Sequence, residues 1–163
     1  MIKVIKGDMI EHLKSKNRFD AYAHQCNCFC RMGRGIAPLL AKAVKGLREA
    51  DNNTVSGDKD KLGTYTFAKY KGTTVYNLYG QYHWYLHKVA PGRNTDYNAL
   101  REALCKMKLH ILFSNKYSKK ESLSLGLPLI GCGLAGGDWD NVVFPMIEEI
   151  FENSGIDVTI FKL

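Results

Sequence analysis

The spacing of apolar residues predicts an alternation of strands and helices along the chain. Short runs that are apolar or that alternate with polar residues predict strands over 2–5, 19–24, 123–130 and 156–163. Apolar residues that recur every three or four positions predict helices over 9–16, 36–44, 96–113 and 139–151. Two β-rich runs, 62–69 and 73–79, predict a hairpin that turns at Lys71-Gly72. Asp8 is the expected N-cap of the first helix, and Asn94 or Thr95 that of the third.

This order of elements predicts an α/β fold, a three-layer α/β/α sandwich around a central mixed, mostly parallel sheet. The first strand alternates with lysines, which is typical of a sheet edge. Residues 51–61 are polar without periodicity, and we expect an exposed loop there. Because the chain has no internal repeat, low-complexity segment or linker, we expect a single domain over residues 1–163.

Composition and charge narrow the class of protein. Lysine and arginine number 23 against 16 acidic residues, and the resulting charge of +7 favours anionic partners such as nucleotides, phosphates or nucleic acid. The five cysteines show no spacing of a secreted disulfide framework, and neither a signal peptide nor a membrane-spanning run is present. We therefore expect a cytoplasmic monomer that does not bind membranes.

Two glycine-rich segments carry the candidate chemistry, because each lies between a predicted strand and a predicted helix. The first loop is residues 31–37 and the second loop is residues 131–138. Glycine lets a ligand approach the main chain, and the N–H groups at a helix start attract anions. Since both loops follow strands of a parallel sheet, they are expected to face each other and to hold a diphosphate. Neither loop has the pattern of a Walker A motif or of a dinucleotide fingerprint.

Other chemistry remains open on the residues alone. His24, Cys26, Cys28 and Cys30 offer zinc ligand types, but their spacing is unlike that of zinc sites. His83 and His87 lack the glutamate of a zincin and are treated as loop residues. Cys132 is either a nucleophile or, as we prefer, a small thiol packed under the second loop. We therefore assign no metal and no cofactor.

Four segments together resemble the macro domain family, the ADP-ribose-binding α/β/α module. They are Lys6-Gly7-Asp8-Met9, the segment from Ala23 through Asn27 to Ala37, Val75 to Gln81, and Pro128 to Trp139. The resemblance spans nearly the whole chain, and its motifs are specific only in combination. It implies that Asp8 accepts from the adenine amino group beside Met9, that Asn27 and the first loop surround the distal ribose, and that the second loop cradles the diphosphate. The ligand-binding residues implied are Asp8, Met9, Gln25, Asn27, Met32, Gly33, Gly35, Ile36, Ala37, Gly131, Cys132, Gly133, Leu134, Ala135 and Gly136.

Within the family, the His24-to-Asn27 segment is similar both to the ADP-ribose-1″-phosphate phosphatases and to the enzymes that remove ADP-ribose from glutamate or DNA. The latter use a lysine near the end of the middle strand, where this chain has Tyr79-Gly80-Gln81 and its next lysine is Lys88. Some also use an acid where this chain has Ala135. The first hypothesis is therefore hydrolysis of ADP-ribose 1″-phosphate, with His24 as general acid.

In that hypothesis Asp138 positions the attacking water, unless it only caps the last helix. The alternatives are an ADP-ribosyl hydrolase, a non-catalytic ADP-ribose reader and a charge-driven nucleic-acid binder. The last would use the lysines after the third helix and Arg31 and Arg34 beside the first loop. Tyr79, Tyr82, Trp84 and Tyr85 are candidates for stacking on the ligand, although packing explains them equally well.

Overall fold

The computed structural model describes residues 1–85 and 92–163, and six strands within these ranges form one sheet. The strands are β1 (Ile2–Lys6), β2 (Ala21–Cys26), β3 (Tyr65–Tyr70), β4 (Thr73–Tyr79), β5 (Leu123–Leu127) and β6 (Ile156–Lys162). Their spatial order is β1-β6-β5-β2-β4-β3, and every neighbouring pair is parallel except β3 and β4. The predicted mixed, mostly parallel sheet with β1 at an edge is confirmed.

Helices cover both faces of the sheet. They are α1 (Met9–Lys14), α2 (Ala37–Ala43), α3 (Leu47–Asn52), α4 (Tyr97–Ser114) and α5 (Phe144–Phe151). The larger core packs α4 and α5 against one face, where Ala21 and Ala23 of β2 point. The smaller core packs α1, α2 and the start of α3 against the other face, where Tyr22 of β2 points. The side chains of β2 thus alternate between two buried layers, as a central strand requires.

The hairpin turns where the sequence predicts. Lys71 and Gly72 both have positive φ, 48° and 87°, which matches the two-residue turn that suits the twist of antiparallel strands. Asp8 caps α1 as expected, whereas α4 is capped by Asp96 rather than by Asn94 or Thr95. Trp139 begins a π-helical turn, Trp139–Val143, that continues into α5.

Two predictions about segments are wrong. The stretch 51–61 is not uniformly exposed: its first two residues belong to a short helix, α3, that the sequence did not indicate, and Asp51 and Lys61 are buried. Strand β2 extends to Cys26, two residues beyond its predicted end, because it pairs with β4 up to Tyr79. The second difference moves His24 from a strand end into the middle of the sheet.

The ladder between β2 and β5 is short, and this opens the sheet at one end. Only Ala21 with Leu125 and Tyr22 with Gly126 are paired, whereas β2 continues to Cys26 beside β4. The chain ends of β2 and β5 therefore diverge, and the loops that follow them border the gap. No helix of the described ranges is long and apolar enough to span a membrane.

Candidate ligand-binding cleft

The two glycine loops line one cleft of about 930 Å³ at the carboxyl ends of β2 and β5. A cleft of this size suits a ligand as large as a dinucleotide fragment. The cleft brings together Asp8, Met9, Gln25, Asn27, Met32, Gly33, Gly35, Ile36, Ala37, Gly131, Cys132, Gly133, Leu134 and Ala135. The predicted site residues that do not line it are His24, Gly136 and Asp138.

The first loop is held from its buried side. The Asn27 side chain donates to the Arg31 carbonyl at 2.8 Å and accepts from the Phe29 N–H at 2.9 Å. The buried Lys61 ammonium donates to the Cys28 carbonyl at 2.9 Å and lies over the Tyr79 ring. Within the described part of the chain, the N–H groups of residues 33–36 have no hydrogen-bond acceptor. They are available to an anionic ligand, because the loop is fixed by other groups.

The second loop is a tight ring. Gly131 and Gly136 have φ of +73° and +76°, and a Cβ on Gly136 would lie only 1.9 Å from the Gly92 carbonyl oxygen. The N–H groups of Gly136 and Gly137 donate to carbonyls of the same loop. By contrast, the N–H groups of residues 133–135 have no acceptor among residues 1–85 and 92–163. Three peptide donors therefore remain for a ligand on this side of the cleft.

Gln25 links the two sides of the cleft behind the loops. Its Nε2 donates to Gln81 Oε1 and to Thr95 Oγ1, both at 2.9 Å. Thr95 Oγ1 in turn donates to the Gly131 carbonyl at 2.7 Å. The end of β2 is thus connected through side chains to the start of the second loop.

Asp8 lies at the other end of the cleft, and its Oδ2 has no hydrogen-bond donor among residues 1–85 and 92–163. Its Oδ1 accepts from the N–H groups of Ile10 and Glu11, at 2.9 and 3.4 Å, and so caps α1. Met9 is buried beside it, and Phe161 lines the same end. An apolar wall next to a free carboxylate oxygen is suited to a flat heterocycle with an exocyclic amino group.

Charged side chains in the described lining favour an anion. Arg31, Arg34, Arg48 and Lys162 line the cleft, whereas Asp8 is its one acidic residue among those described. The Arg31 guanidinium lies over the Trp84 ring, with Cζ 4.4 Å from the ring centroid. This stacking orients the cation in the lining of the cleft without using its hydrogen-bond donors.

His24 lies outside the cleft, and the structure does not support its use as a general acid. The side chain is completely buried on the face that packs α1–α3, where its Nε2 contacts Asn77 Oδ1 at 2.6 Å. Burial lowers its pKa to about 4, so the ring is neutral at physiological pH. His24 is predicted at the site because the sequence pattern ends β2 at that residue. The strand in fact continues to Cys26, so His24 lies within the sheet and not beside the loop.

The environments of Asp138 and Cys132 are those of structural residues and not of catalytic ones. Asp138 accepts from the N–H of Asn141 at 3.1 Å, caps the turn that leads into α5, and does not line the cleft. Burial, reinforced by the nearby Asp138, raises the pKa of the Cys132 thiol to about 12, which leaves it protonated and a poor nucleophile. Gly136 does not line the cleft, and its backbone packs closely against the Gly92 carbonyl.

Zinc has no ligand set in the described ranges. No group of three or more His, Cys, Asp or Glu side chains among those residues could hold a metal ion, although His24, Cys26, Cys28 and Cys30 all belong to them. His87 and Lys88 lie outside the described residues.

The aromatic candidates divide into two pairs. Trp84 and Tyr85 line the cleft. Tyr79 is fully buried and donates to Asp51 Oδ1 at 2.8 Å, and Tyr82 donates to the Gly57 carbonyl at 2.6 Å. Trp139 packs against the larger core.

Several cleft residues were not predicted from the sequence. Arg48, Asn94 and Phe161 line the cleft, and Thr95 and Lys61 support its loops. Phe161 is an apolar residue in a predicted strand, and nothing in the sequence marks such a residue as part of a binding site. Lys61 and Arg48 had the appearance of ordinary surface cations.

Comparison with known proteins identifies the family. The chain is 33% identical over 162 residues to the human ADP-ribose glycohydrolase OARD1, which covers 99% of this chain and 91% of that protein. It is 38% identical over 146 residues to an uncharacterized 17.5 kDa protein of Enterobacteria phage T4, covering 86% of this chain and 84% of the phage protein. The chain belongs to the macro domain family. No family model matches it.

Solved structures agree with the macro domain fold. The macrodomain of Mycobacterium tuberculosis DarG superposes with a TM-score of 0.73 at 18% identity, covering 99% of this chain and 97% of that one. Thermosipho africanus DarTG in complex with ADP-ribose gives a TM-score of 0.71 at 19% identity, covering 99% of this chain and 41% of that one. At these identities the likeness concerns the fold alone.

Proposed function

We propose that the cleft binds ADP-ribose and that the chain hydrolyses ADP-ribose 1″-phosphate to ADP-ribose and phosphate. The observation that carries the proposal is the meeting of two glycine loops with unpaired N–H groups in one cleft whose described charged lining is mainly basic. The named activity of the human relative and the ADP-ribose complex of the Thermosipho protein support the choice of ligand.

In the proposed complex the adenine lies at the Asp8 end, where the free Oδ2 accepts from its amino group. The diphosphate lies between the N–H groups of residues 33–36 and those of residues 133–135. The distal ribose then faces the Arg31 side of the cleft, and its 1″-phosphate meets Arg31 and Arg34. Arginine suits this position because its planar fork pairs with two phosphate oxygens at once.

The reaction needs positioning and charge stabilisation more than covalent chemistry. A water oxygen attacks phosphorus, the bond from phosphorus to the anomeric oxygen breaks, and that oxygen takes a proton to become the 1″-hydroxyl. An anomeric hydroxyl is more acidic than an ordinary alcohol, so its oxygen leaves with less need for protonation by a general acid. The arginines stabilise the charge on the transferring phosphoryl group. Solvent takes up the proton that the attacking water loses and supplies the one that the anomeric oxygen gains.

The second candidate is removal of ADP-ribose from a protein or nucleic acid, and the names of the human and bovine relatives favour it. Family resemblance places a lysine near the end of the middle strand in such enzymes. Here Gln81 follows β4, and its Oε1 accepts from Gln25. Ala135 also supplies no acid in the second loop. A route through a covalent lysine adduct is therefore not the one that we propose.

A phosphate-release assay on ADP-ribose 1″-phosphate tests the proposal. Wild-type protein is expected to release phosphate. Arg31→Ala is expected to lower kcat/KM about tenfold or more, because a charge-assisted hydrogen bond to the phosphoryl group contributes about 1.5–3 kcal/mol. Arg101→Ala is the matched control, since Arg101 lies on α4 in an exposed ion pair with Glu149.

The other outcomes separate the alternatives. Release of ADP-ribose from a modified protein or DNA, without phosphate release, selects the ADP-ribosyl hydrolase. Binding of ADP-ribose without turnover of either substrate selects a non-catalytic reader. Salt-sensitive binding of nucleic acid with no response to ADP-ribose overturns the proposal altogether.

A further inference from the structure

Residues 94 and 95 contact the second loop at both of its ends. The N–H groups of Asn94 and Thr95 both donate to the Ala135 carbonyl, at 2.7 and 3.2 Å. The Thr95 hydroxyl donates to the Gly131 carbonyl at 2.7 Å, and Thr95 is completely buried. The two carbonyls that these groups hold bracket residues 132–134.

These contacts orient the part of the loop that faces the ligand. The Gly137 N–H also donates to the Gly131 carbonyl, at 2.9 Å, and so closes a ring within the loop. The Thr95 hydroxyl attaches this ring to the segment that precedes α4. With its two ends fixed on the buried side, the loop presents the N–H groups of residues 133–135 on the other side. Donors held in place before a ligand arrives bind it more tightly than donors that must first be ordered.

The side chains of the pair extend the connection in two directions. Asn94 Nδ2 donates to the Tyr85 carbonyl at 2.6 Å, which links the loop to the Trp84–Tyr85 wall. Thr95 Oγ1 accepts from Gln25 Nε2 at 2.9 Å, which links the loop to the end of β2. Three separate parts of the cleft, the second loop, the Trp84–Tyr85 wall and the end of β2, are therefore connected through two consecutive residues.

We propose that Asn94 and Thr95 are positioning residues that hold the second loop in the conformation that binds a diphosphate. The inference rests on the proposed function for the identity of the ligand, and on the hydrogen bonds alone for the effect on the loop. Neither residue takes part in the chemistry, and Thr95 acts through Gly131 and Gln25.

The first test is the affinity of Thr95→Val, which keeps the shape of the side chain and removes its hydroxyl. Calorimetry is expected to show ADP-ribose binding about tenfold weaker, equivalent to about 1.4 kcal/mol. Adenosine, which has no diphosphate, is expected to bind with unchanged affinity, whereas general loosening of the fold would weaken both ligands. Thr95→Ser restores the hydroxyl and is expected to restore ADP-ribose binding. Thr159→Val, the same change at a buried threonine of β6 outside the cleft, is expected to have no effect.

The second test needs no ligand. Hydrogen exchange of the free protein is expected to be faster at Cys132, Gly136 and Gly137, whose N–H groups are hydrogen-bonded within or next to the loop, in Thr95→Val than in wild type. It is expected to be unchanged in Thr159→Val. Should Thr95→Val fail to fold, Thr95→Cys gives the comparison, because a thiol is a weaker donor of similar size.

The results distinguish this inference from the proposed function. Wild-type protein that does not bind ADP-ribose overturns the proposed function, and the exchange rates still decide the role of Thr95. Wild-type binding together with equal ADP-ribose affinity and equal loop exchange in Thr95→Val overturns the positioning role alone.

Discussion

In the proposed complex, Asp8 has two roles on separate oxygens of one carboxylate. Oδ1 caps α1, and Oδ2 would accept from the ligand at the apolar end of the cleft. Asparagine caps a helix as well as aspartate does, so Asp8→Asn separates recognition from stability.

We expect Asp8→Asn to retain the free energy of unfolding and to lose selectivity for adenine. Wild-type protein is expected to bind ADP-ribose about tenfold more tightly than its hypoxanthine analogue, which has no amino group for the carboxylate. In Asp8→Asn the ratio of the two calorimetric Kd values is expected to fall toward one. An unchanged ratio would remove Asp8 from adenine recognition.

His24 is a buried neutral histidine, and its effect belongs to stability. Its pKa is lowered from 6.5 to about 4 by burial, so between these pH values the unfolded chain binds a proton that the folded chain does not. The free energy of unfolding therefore decreases as the pH falls through this window. From pH 7 to pH 4 the loss due to His24 is expected to be about 3 kcal/mol, since one pKa unit corresponds to about 1.4 kcal/mol.

Urea unfolding of wild type and His24→Gln at both pH values measures this loss. Glutamine keeps a donor for Asn77 and does not titrate, so the pH dependence of the variant is expected to be smaller by that amount. Equal pH dependence in the two proteins would contradict the assignment of a neutral buried ring. Phosphate release by the folded variant at pH 7 is expected to stay within about twofold of wild type, because His24 does not line the cleft.

At the scale of an element, the second loop depends on a close approach of the backbone at Gly136. Gly136→Ala places a Cβ against the Gly92 carbonyl and demands positive φ of an L-residue. We expect it to lower the free energy of unfolding by about 2 kcal/mol or more and to weaken ADP-ribose binding. Gly133→Ala is the matched control for stability, because a Cβ there meets no atom within 4 Å. Equal urea midpoints for the two variants would show that the loop tolerates a different path.

The sequence predicts which strands, helices and turns form more accurately than it predicts the residues at which they end. The strand-to-helix loops, the Lys71-Gly72 hairpin and the cap at Asp8 depend on local patterns, and these predictions are confirmed. The end of β2 depends on its pairing with β4, a partner about 50 residues away, so the local pattern placed His24 at a strand end. Helix α3 carries only six residues, too few for a periodic signal.

The supporting residues of the cleft were beyond sequence reasoning for a similar reason. Thr95 acts through contacts with Gln25 and Gly131, 70 and 36 residues away. Lys61 is buried, and its ammonium donates to the Cys28 carbonyl, 33 residues away. Positions whose roles depend on long-range contacts give the sequence pattern of ordinary polar residues.

At the scale of the whole molecule, topology and charge act together. The strand order places β5 beside β2, and their short ladder leaves room for a ligand between two loops that lie about 100 residues apart in the sequence. The net charge of +7 and the arginines of the cleft then favour an anionic ligand over a neutral one.

This electrostatic contribution is expected to depend on salt. Raising sodium chloride from about 50 to about 500 mM shortens the screening length roughly threefold, and we expect the Kd for ADP-ribose to rise severalfold. The Kd for adenosine is expected to change little. Equal salt dependence for the two ligands would contradict a role for the arginines in binding.

Calorimetric titration of the wild-type protein with ADP-ribose, with ADP and adenosine as fragments, tests the central claim most directly. We predict one molecule bound per chain with a micromolar Kd, weaker binding of ADP, and a further large loss for adenosine, which does not engage the loops. The absence of heat at saturating ADP-ribose, or equal affinity for ADP-ribose and adenosine, would contradict the claim that both loops hold a diphosphate.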